Sequence, residues 1–141
     1  MSSSFEGSEI FKASPNEILS LINNFEAYKG FLPGCLESSR LHDSEEGIVS
    51  GRLVFSILNK TYSFESKNKT TGFEVHISQS KGPFLDFNAL WSLEKIDKSY
   101  TKINFKTNFS LPFSLKIFAQ QSLIDKMGFR FINAFGKQLL K

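Results

Sequence analysis

The sequence predicts an α+β fold in which an antiparallel sheet is covered by one long C-terminal helix. Apolar and polar residues alternate with a period of two through most of residues 52–109, and the apolar spacing becomes helical over residues 114–141. A strong helix-start signal also follows the first predicted strand. A sheet with one apolar face and a helix with an apolar stripe must bury these surfaces against each other.

The N-terminal segment predicts a strand followed by two short helices. Residues 5–12 are predicted to form the strand. Ser14 then has the properties of an N-cap, Pro15 suits the first helical position, and Glu17 stands where a capping box requires an acidic residue. Apolar residues over 18–25 form the stripe of a short helix. A second short helical or turn segment over 26–31 ends at Pro33-Gly34.

Five further strands are expected over residues 52–57, 61–65, 73–78, 86–93 and 102–109. Turn signals at 59–60, 71–72, 81–83 and 97–99 separate them, which predicts an antiparallel meander with one solvated face and one buried face. In the third of these strands, Phe73, Val75 and Ile77 are expected to point inward, and His76 outward.

The last segment, 114–141, predicts one long amphipathic helix. Gly128 and Gly136 lie inside it, and we expect them to permit close packing or local bending because each costs about 1 kcal/mol relative to Ala. The residues expected on the apolar side are Ile124, Met127, Phe131, Phe135 and Leu139. Those expected on the polar side are Lys126, Arg130, Asn133, Lys137 and Lys141.

Length and composition predict one globular domain over residues 1–141. The chain is 40% hydrophobic and 22% charged, and 16 of its aromatic residues are Phe against one Trp and 3 Tyr. Phe carries no polar atom, so much side-chain volume is purely apolar. A lone Cys35, no signal-peptide pattern and no apolar run near the ~20 residues of a spanning helix lead us to expect a cytoplasmic protein.

Charge is divided unevenly along the chain. Residues 1–50 have a net charge of −5 and residues 51–141 a net charge of +8. The positive portion is compatible with RNA or with an anionic membrane surface. An ordinary solvated surface is the favoured interpretation, because the 14 Lys far outnumber the 3 Arg that specific phosphate recognition favours.

Several short motifs resemble the coenzyme Q-binding START-type family of the helix-grip, or birch-pollen-allergen-like, superfamily. Bacterial members include the ribosome-association toxin A and oligoketide cyclase-like branch. In the segment 21–35, the family's aromatic, Phe-Leu-Pro and Cys positions are occupied by Tyr28, Phe31, Leu32, Pro33 and Cys35. Other matches are the Gly-Pro-Phe sequence at 82–84, the Trp at 91, the Phe-rich strand at 105–110 and the Met-to-Phe spacing over 127–135. Asn24, Phe25 and Gly34 depart from the family pattern.

The resemblance implies a curved sheet of about six or seven strands wrapped around the C-terminal helix, with an apolar cavity between them. It also implies that the ligand is ubiquinone or a similar isoprenoid lipid, bound without a covalent cofactor and chaperoned for respiration. Apolar residues at this spacing form a packed core in most proteins, and that alternative stays open. The candidate ligand-binding residues of the cavity and its mouth are Phe31, Leu32, Pro33, Phe55, Phe64, Phe84, Phe87, Trp91, Phe105, Phe109, Met127 and Phe131.

Catalytic machinery is not apparent in the sequence, and we expect no enzyme. Cys35 has no predicted base beside it, His42 and His76 are expected on polar surfaces, and no Gly-rich phosphate loop is present. One Cys and two His also predict no metal site.

The resemblance raises one alternative function. Some relatives bind the large ribosomal subunit and block subunit association as toxins, and Lys126, Arg130 and Lys137 are candidate contacts to RNA phosphates. DNA is not an expected partner. A bacterial inner-membrane surface is a further candidate partner, at which the protein would be peripheral.

Overall fold

The computed structural model describes residues 2–42 and 45–141. It contains seven strands, two α-helices and two 3₁₀ helices within those residues. The strands are β1 (Ser2–Phe11), β2 (Cys35–Leu41), β3 (Ile48–Ile57), β4 (Lys60–Thr71), β5 (Glu74–Lys81), β6 (Asp86–Lys95) and β7 (Thr101–Ser110). The helices are α1 (Pro15–Ile22), the first 3₁₀ helix (Phe25–Gly30), the second 3₁₀ helix (Phe113–Ala119) and α2 (Gln121–Gln138).

The strands form one antiparallel sheet in the order β1-β7-β6-β5-β4-β3-β2. The predicted α+β architecture is therefore confirmed. Register shifts in β2, between Cys35 and Glu37, and in β4, between Glu65 and Ser66, mark bulges that bend the strands and curve the sheet. The sequence did not predict β2 because it is an edge strand. It pairs only with β3 and buries little besides Ser38, so its sequence has no clear alternation.

The entry into α1 is as the sequence predicts. Ser14 Oγ accepts a hydrogen bond from the Glu17 amide, and Glu17 Oε1 accepts one from the Ser14 amide, each at 3.2 Å. These two bonds complete the capping box and satisfy amides that the first helical turn leaves unpaired.

The predicted helix start at 114 is wrong. A separate 3₁₀ helix covers Phe113–Ala119, Leu115 within it has non-helical dihedrals, and Gln120 is extended. The regular helix begins only at Gln121. Leu115 and Phe118 of this segment turn toward the cavity, and Pro112 at its start cannot donate a hydrogen bond.

The inward placement of Phe73 is also wrong. Phe73 lies in the β4–β5 turn before β5 begins at Glu74, and its side chain is 46% exposed. Val75 is fully buried, Ile77 is half-buried and His76 is exposed, so the alternation holds from that point onward.

Helix α2 crosses the inner face of the sheet and approaches β1 closely at two glycines. A Cβ on Gly128 would lie 2.6 Å from the Phe5 ring, and one on Gly136 would lie 3.0 Å from the Phe11 ring. The prediction that these glycines permit close packing is confirmed. The helix is thereby held against β1, and the space between α2 and β3–β5 is filled by other side chains or left open.

Gly51 on β3 allows a similar close contact on the same inner face, near the other edge of the sheet. A Cβ at this position would lie 2.2 Å from carbons of the Phe25 ring, which is itself buried. The absence of a side chain therefore allows the first 3₁₀ helix to pack onto β3.

We expect Gly51→Ala to lower the free energy of unfolding by about 1–3 kcal/mol, because the buried ring must move to admit the methyl group. Gly30→Ala is the matched control, since no atom lies within 4 Å of its built Cβ. Its effect should stay within about 0.5 kcal/mol. Urea unfolding measures both, and equal stability of the two variants would contradict the packing argument.

Candidate functional site: an aromatic cavity between sheet and helix

A cavity of about 320 Å³ lies between the inner face of the sheet and the N-terminal half of α2. Its volume is at the lower end of the ~300–1,000 Å³ range of small-molecule sites. The walls are almost entirely apolar, and none of the lining side chains is charged. The residues that line it are Phe5, Phe25, Tyr28, Leu53, Phe55, Ile57, Tyr62, Phe64, Ser66, Asn68, Ile77, Pro83, Phe84, Phe87, Phe105, Thr107, Phe109, Leu111, Leu115, Phe118, Ile124, Met127, Gly128 and Phe131.

Eight of the twelve residues selected from the sequence lie in these walls. Sheet strands supply most of them because β3, β4, β6 and β7 each point alternate side chains inward. The eight are Phe55, Phe64, Phe84, Phe87, Phe105, Phe109, Met127 and Phe131. That they bind a ligand stays a prediction.

Trp91 does not line the cavity. It is fully buried, and its ring packs at 4.8 Å from Phe105, 5.8 Å from Phe131 and 5.1 Å from Phe135. These distances are typical of tilted aromatic pairs. Trp91 therefore belongs to a closely packed aromatic layer that bounds one side of the cavity.

Phe31, Leu32 and Pro33 do not line the cavity either. The Leu32 amide donates a 2.8 Å hydrogen bond to the Tyr28 carbonyl, which turns the chain back at the end of the first 3₁₀ helix. Phe31 then packs edge-on against Phe135, near the C-terminal end of α2, with ring centroids 5.1 Å apart. Leu32 is buried and Pro33 is exposed, so the predicted mouth at this loop is wrong.

The cavity mouth lies where β3, β5 and β7 end. Because these three strands run in the same direction, the β3–β4 turn, the β5–β6 loop and the segment after β7 meet at one edge of the sheet. Pro83 and Phe84 line the cavity at this edge, as the sequence led us to expect, and Leu115 and Phe118 of the second 3₁₀ helix line it from the other side.

Gln79 holds the β5–β6 loop in place. Its side-chain amide donates to the Phe84 carbonyl at 3.0 Å and accepts from the Phe84 amide at 3.2 Å. The Phe84 ring lies 5.8 Å from that of Phe64, 5.0 Å from Phe87 and 5.5 Å from Phe109. The loop is therefore a fixed part of the cavity wall.

The sequence interpretation missed the polar groups at the deep end of the cavity. Ser66 and Asn68 continue the inward row of Tyr62 and Phe64 on β4, and both are buried. Thr107 lies on the same side of β7, where its hydroxyl donates to the Asn88 carbonyl at 3.0 Å. Period-two counting beyond Phe64 was the available signal, since it places residues 66 and 68 on the inner face.

Tyr28 adds a buried hydroxyl at the same end. Its hydroxyl donates a hydrogen bond to the Ile22 carbonyl. Burial raises the pKa of the Tyr28 phenol far above its ordinary value, and Cys35 nearby raises that pKa further. The phenol is consequently neutral at physiological pH, which suits a site without charges.

Cys35 and the two histidines are not assembled into a catalytic group. Burial raises the pKa of the Cys35 thiol, and hydrogen bonding with the Glu37 backbone only partly opposes that rise in pKa. A protonated thiol is a weak nucleophile. His42 and His76 are both exposed. Within residues 2–42 and 45–141, no three His, Cys, Asp or Glu side chains are grouped as a metal would require.

The outer side of α2 carries the basic residues that the sequence selected. Lys126, Arg130 and Lys137 are all exposed and share one side of the helix at spacings of four and seven residues. No ion pair joins any of them to a carboxylate in the described part of the chain. The cavity and this basic stripe thus occupy opposite sides of α2.

The sequence profile of one protein family matches residues 11–135. The family is described as "polyketide cyclase / dehydrase and lipid transport". Among helices in the described residues, none combines the length and apolar character needed to cross a membrane.

Individual relatives support the same grouping. The "ribosome association toxin RatA" of Vibrio cholerae serotype O1 is 25% identical over 132 residues, covering 93% of this chain and 91% of the relative. The structure is similar to the Zhui aromatase/cyclase of a Streptomyces species, with a TM-score of 0.83, 11% identity and coverage of 99% and 94%. It is also similar to a START superfamily protein of Mycobacterium smegmatis, with a TM-score of 0.73, 16% identity and coverage of 96% and 93%.

These comparisons confirm the helix-grip fold and the resemblance to the START-type, cyclase-like branch. They overturn one expectation. The sequence led us to exclude an enzyme, but the matching family is described as containing cyclases and dehydrases, and a similar solved structure is an aromatase/cyclase. That expectation rested on the absence of a nucleophile paired with a base, and such an absence does not exclude catalysis.

Proposed function

The chain belongs to the polyketide cyclase / dehydrase and lipid transport family, and from that premise we propose that it binds a hydrophobic isoprenoid lipid in the aromatic cavity, with ubiquinone as the ligand. The observation that carries the proposal is the wall chemistry, because Phe rings and no charged side chain line the cavity. An apolar tail leaves no buried charge unpaired in such a site. Ligand binding is also the step that lipid transport and polyketide cyclisation share.

The cavity volume and its polar groups suggest how the ligand lies. About 320 Å³ accommodates a ring and the first part of a tail rather than a long polyprenyl chain. Most of the polar side chains lie at the deep end, around Ser66, Asn68 and Tyr28, and the mouth is mainly apolar, with Tyr62 the polar side chain nearest to it. We therefore place the head group inside and let the tail leave through the mouth.

We expect Leu53→Trp to reduce the amount of bound lipid by at least about tenfold. Leu53 lies in the cavity wall on β3, and an indole at this position occupies the space of the ligand. The measurement is organic extraction of the purified protein, with and without added ubiquinone, followed by mass spectrometry.

Ser63→Trp is the matched control, since Ser63 is exposed on the outer side of β4 and its indole would point to solvent. Thermal unfolding verifies that both variants fold. Recovery of neither quinone nor other lipid from the wild type, even after ubiquinone is added, would refute the proposal. Equal loading of the two variants would place the lipid elsewhere.

We further propose that the mouth contacts an anionic membrane surface. Four large apolar side chains at the mouth edge are strongly exposed: Leu58, Leu85, Phe113 and Ile117. Leu58 is also held at a positive φ of 50° in the β3–β4 turn, a conformation that few non-Gly residues adopt. Exposed apolar groups gathered at one edge are typical of an interaction surface.

The charges at this edge suit an anionic partner. Three basic residues lie in or next to the same loops: Lys60, Lys81 and Lys116. Two acidic residues, Asp86 and Glu65, lie in this region as well. Lys116 also lies 5.3 Å from the centre of the exposed Phe113 ring. Basic side chains beside inserted apolar ones strengthen binding to anionic lipids. A ligand tail leaving the mouth would pass directly into the bilayer.

We expect the double variant Phe113→Ser, Ile117→Ser to bind anionic phosphatidylglycerol vesicles at least about tenfold less tightly than the wild type, because two insertable side chains are lost. Vesicle co-sedimentation measures this binding. The control is Phe73→Ser, Ile96→Ser, which removes two exposed apolar residues from the opposite end of the sheet. Equal loss in both double variants, or no binding by the wild type, would exclude this surface.

A second candidate function is association with the large ribosomal subunit. It is favoured by the unpaired basic stripe Lys126, Arg130 and Lys137 on the outer side of α2. The name of the Vibrio cholerae relative states the same activity for that protein. The stripe faces away from the cavity, so a ribosomal contact would leave the ligand site free.

We expect co-sedimentation with large ribosomal subunits at low salt, weakened as salt rises. Replacing Lys126, Arg130 and Lys137 by Gln should reduce the slope of log affinity against log salt concentration by up to about 2–3, since each phosphate contact contributes about 0.7–0.9.

Lys95, Lys98 and Lys102, all exposed at the β6–β7 turn, provide a control with the same change in net charge when replaced by Gln. That variant should keep the wild-type salt slope. Absence of co-sedimentation at low salt would remove the ribosomal candidate, and equal weakening by both triple variants would reduce it to non-specific attraction.

A further inference from the structure

The deep end of the cavity contains a buried hydrogen-bond acceptor that no protein group satisfies. Asn68 is 1% exposed and lines the cavity as its innermost residue on β4. Within the described residues, its Oδ1 has no hydrogen-bond partner; the other such buried side-chain atom there is Trp91 Nε1, and Trp91 does not line the cavity. Most buried side-chain polar atoms are paired, so an unpaired acceptor facing a ligand cavity calls for an explanation.

Neighbouring bonds determine which way the Asn68 amide faces. Asn68 Nδ2 donates to Asn23 Oδ1 at 3.1 Å and to the Ile22 carbonyl at 3.4 Å. Asn23 Nδ2 in turn donates to Thr70 Oγ1 at 3.2 Å. Reversing the Asn68 amide would bring its oxygen against the Ile22 carbonyl, which can only accept a hydrogen bond. The network therefore keeps Oδ1 as the free atom.

Two of the nearby hydroxyls are already committed as donors elsewhere. The Tyr28 hydroxyl gives its hydrogen to the Ile22 carbonyl, and the Thr107 hydroxyl gives its hydrogen to the Asn88 carbonyl. Tyr28 can still accept a hydrogen bond at its oxygen. The deep end thus presents the unpaired Asn68 acceptor to a ligand, beside the Ser66 hydroxyl, which can both donate and accept, among aromatic walls that carry no charge.

We propose that Asn68 Oδ1 accepts a hydrogen bond from a neutral hydroxyl group on the ring of the bound ligand. A cationic donor would have no counter-charge among the lining side chains. A quinone ring or a methyl ether presents only acceptors and would face Oδ1 unfavourably. This inference rests on the proposed binding of an isoprenoid lipid, and it specifies that the site favours the hydroxylated form of the ring, a quinol or phenol, over the quinone.

The test compares two ligands that differ by one donor: a phenol bearing a single isoprene tail and the methyl ether of the same phenol. Both can be titrated into the intact protein and followed by isothermal titration calorimetry. The fluorescence of the single Trp, which lies against two cavity-lining rings, gives a second readout. We expect the wild type to bind the phenol at least about tenfold more tightly than the ether.

Two variants separate recognition by Asn68 from general changes in the cavity. Asn68→Leu should bring the two affinities to within about threefold of each other. Asn88→Leu makes the same substitution at an exposed position on the outer face of β6, away from the cavity walls, and it should keep the tenfold preference. Loss of the preference in both single variants would overturn the assignment to Asn68.

The wild-type comparison decides the matter even if Asn68→Leu does not fold. Equal binding of phenol and ether, or tighter binding of the ether, would overturn this inference and leave the binding proposal intact. Binding of neither ligand would overturn both.

For a short-tailed ubiquinone, a tenfold preference for the quinol would raise the two-electron midpoint potential of the bound couple by about 30 mV, and an unchanged or lowered potential would contradict the inference.

Discussion

The aromatic layer around Trp91 is the constraint on which the rest of the structure depends. Trp91 from β6 and Phe105 from β7 meet Phe131 and Phe135 from α2, with neighbouring ring centroids 4.8–5.8 Å apart. Each such pair adds about 0.5–1.5 kcal/mol beyond its buried area. The layer joins the sheet to α2. It separates a closely packed part of the interior from the part that contains the cavity. Because these ring contacts hold the sheet and α2 together, the walls of the cavity need not pack against each other.

The Phe surplus acquires a specific meaning in this arrangement. A Phe ring in the closely packed part fills space, whereas a Phe ring at the cavity forms part of its wall and offers no hydrogen bond to a ligand. Specificity therefore falls to the few polar atoms at the deep end, where the Asn68 amide is oriented by Asn23 and Ile22. In the proposed function, shape and one or two hydrogen bonds select the ligand, which is the usual division in small apolar sites.

Helix α2 separates two surfaces with unrelated chemistry. Its inner side contributes Ile124, Met127 and Phe131 to the cavity, and its outer side presents Lys126 and Arg130 to solvent. Relatives and structural neighbours with very different printed functions, a ribosome association toxin and an aromatase/cyclase, are compatible with such a scaffold. Fold alone therefore does not determine the function of such a scaffold.

The sequence by itself determined the strands with clear alternation, the capping box at Ser14, the apolar side of α2 and most of the cavity-wall phenylalanines, because these follow from local periodicity and capping. It did not predict β2, whose edge position leaves no buried face to impose a pattern, or the break at Gln120 before α2. Only the tertiary structure decided that Trp91 and Phe31 are packed core, while Phe84 is cavity wall and Asn68 a buried, unsatisfied acceptor. Periodicity indicates which side of an element is buried. The distance between sheet and helix at each level depends on contacts far apart in the chain, such as Gly128 against Phe5 and Gly51 against Phe25.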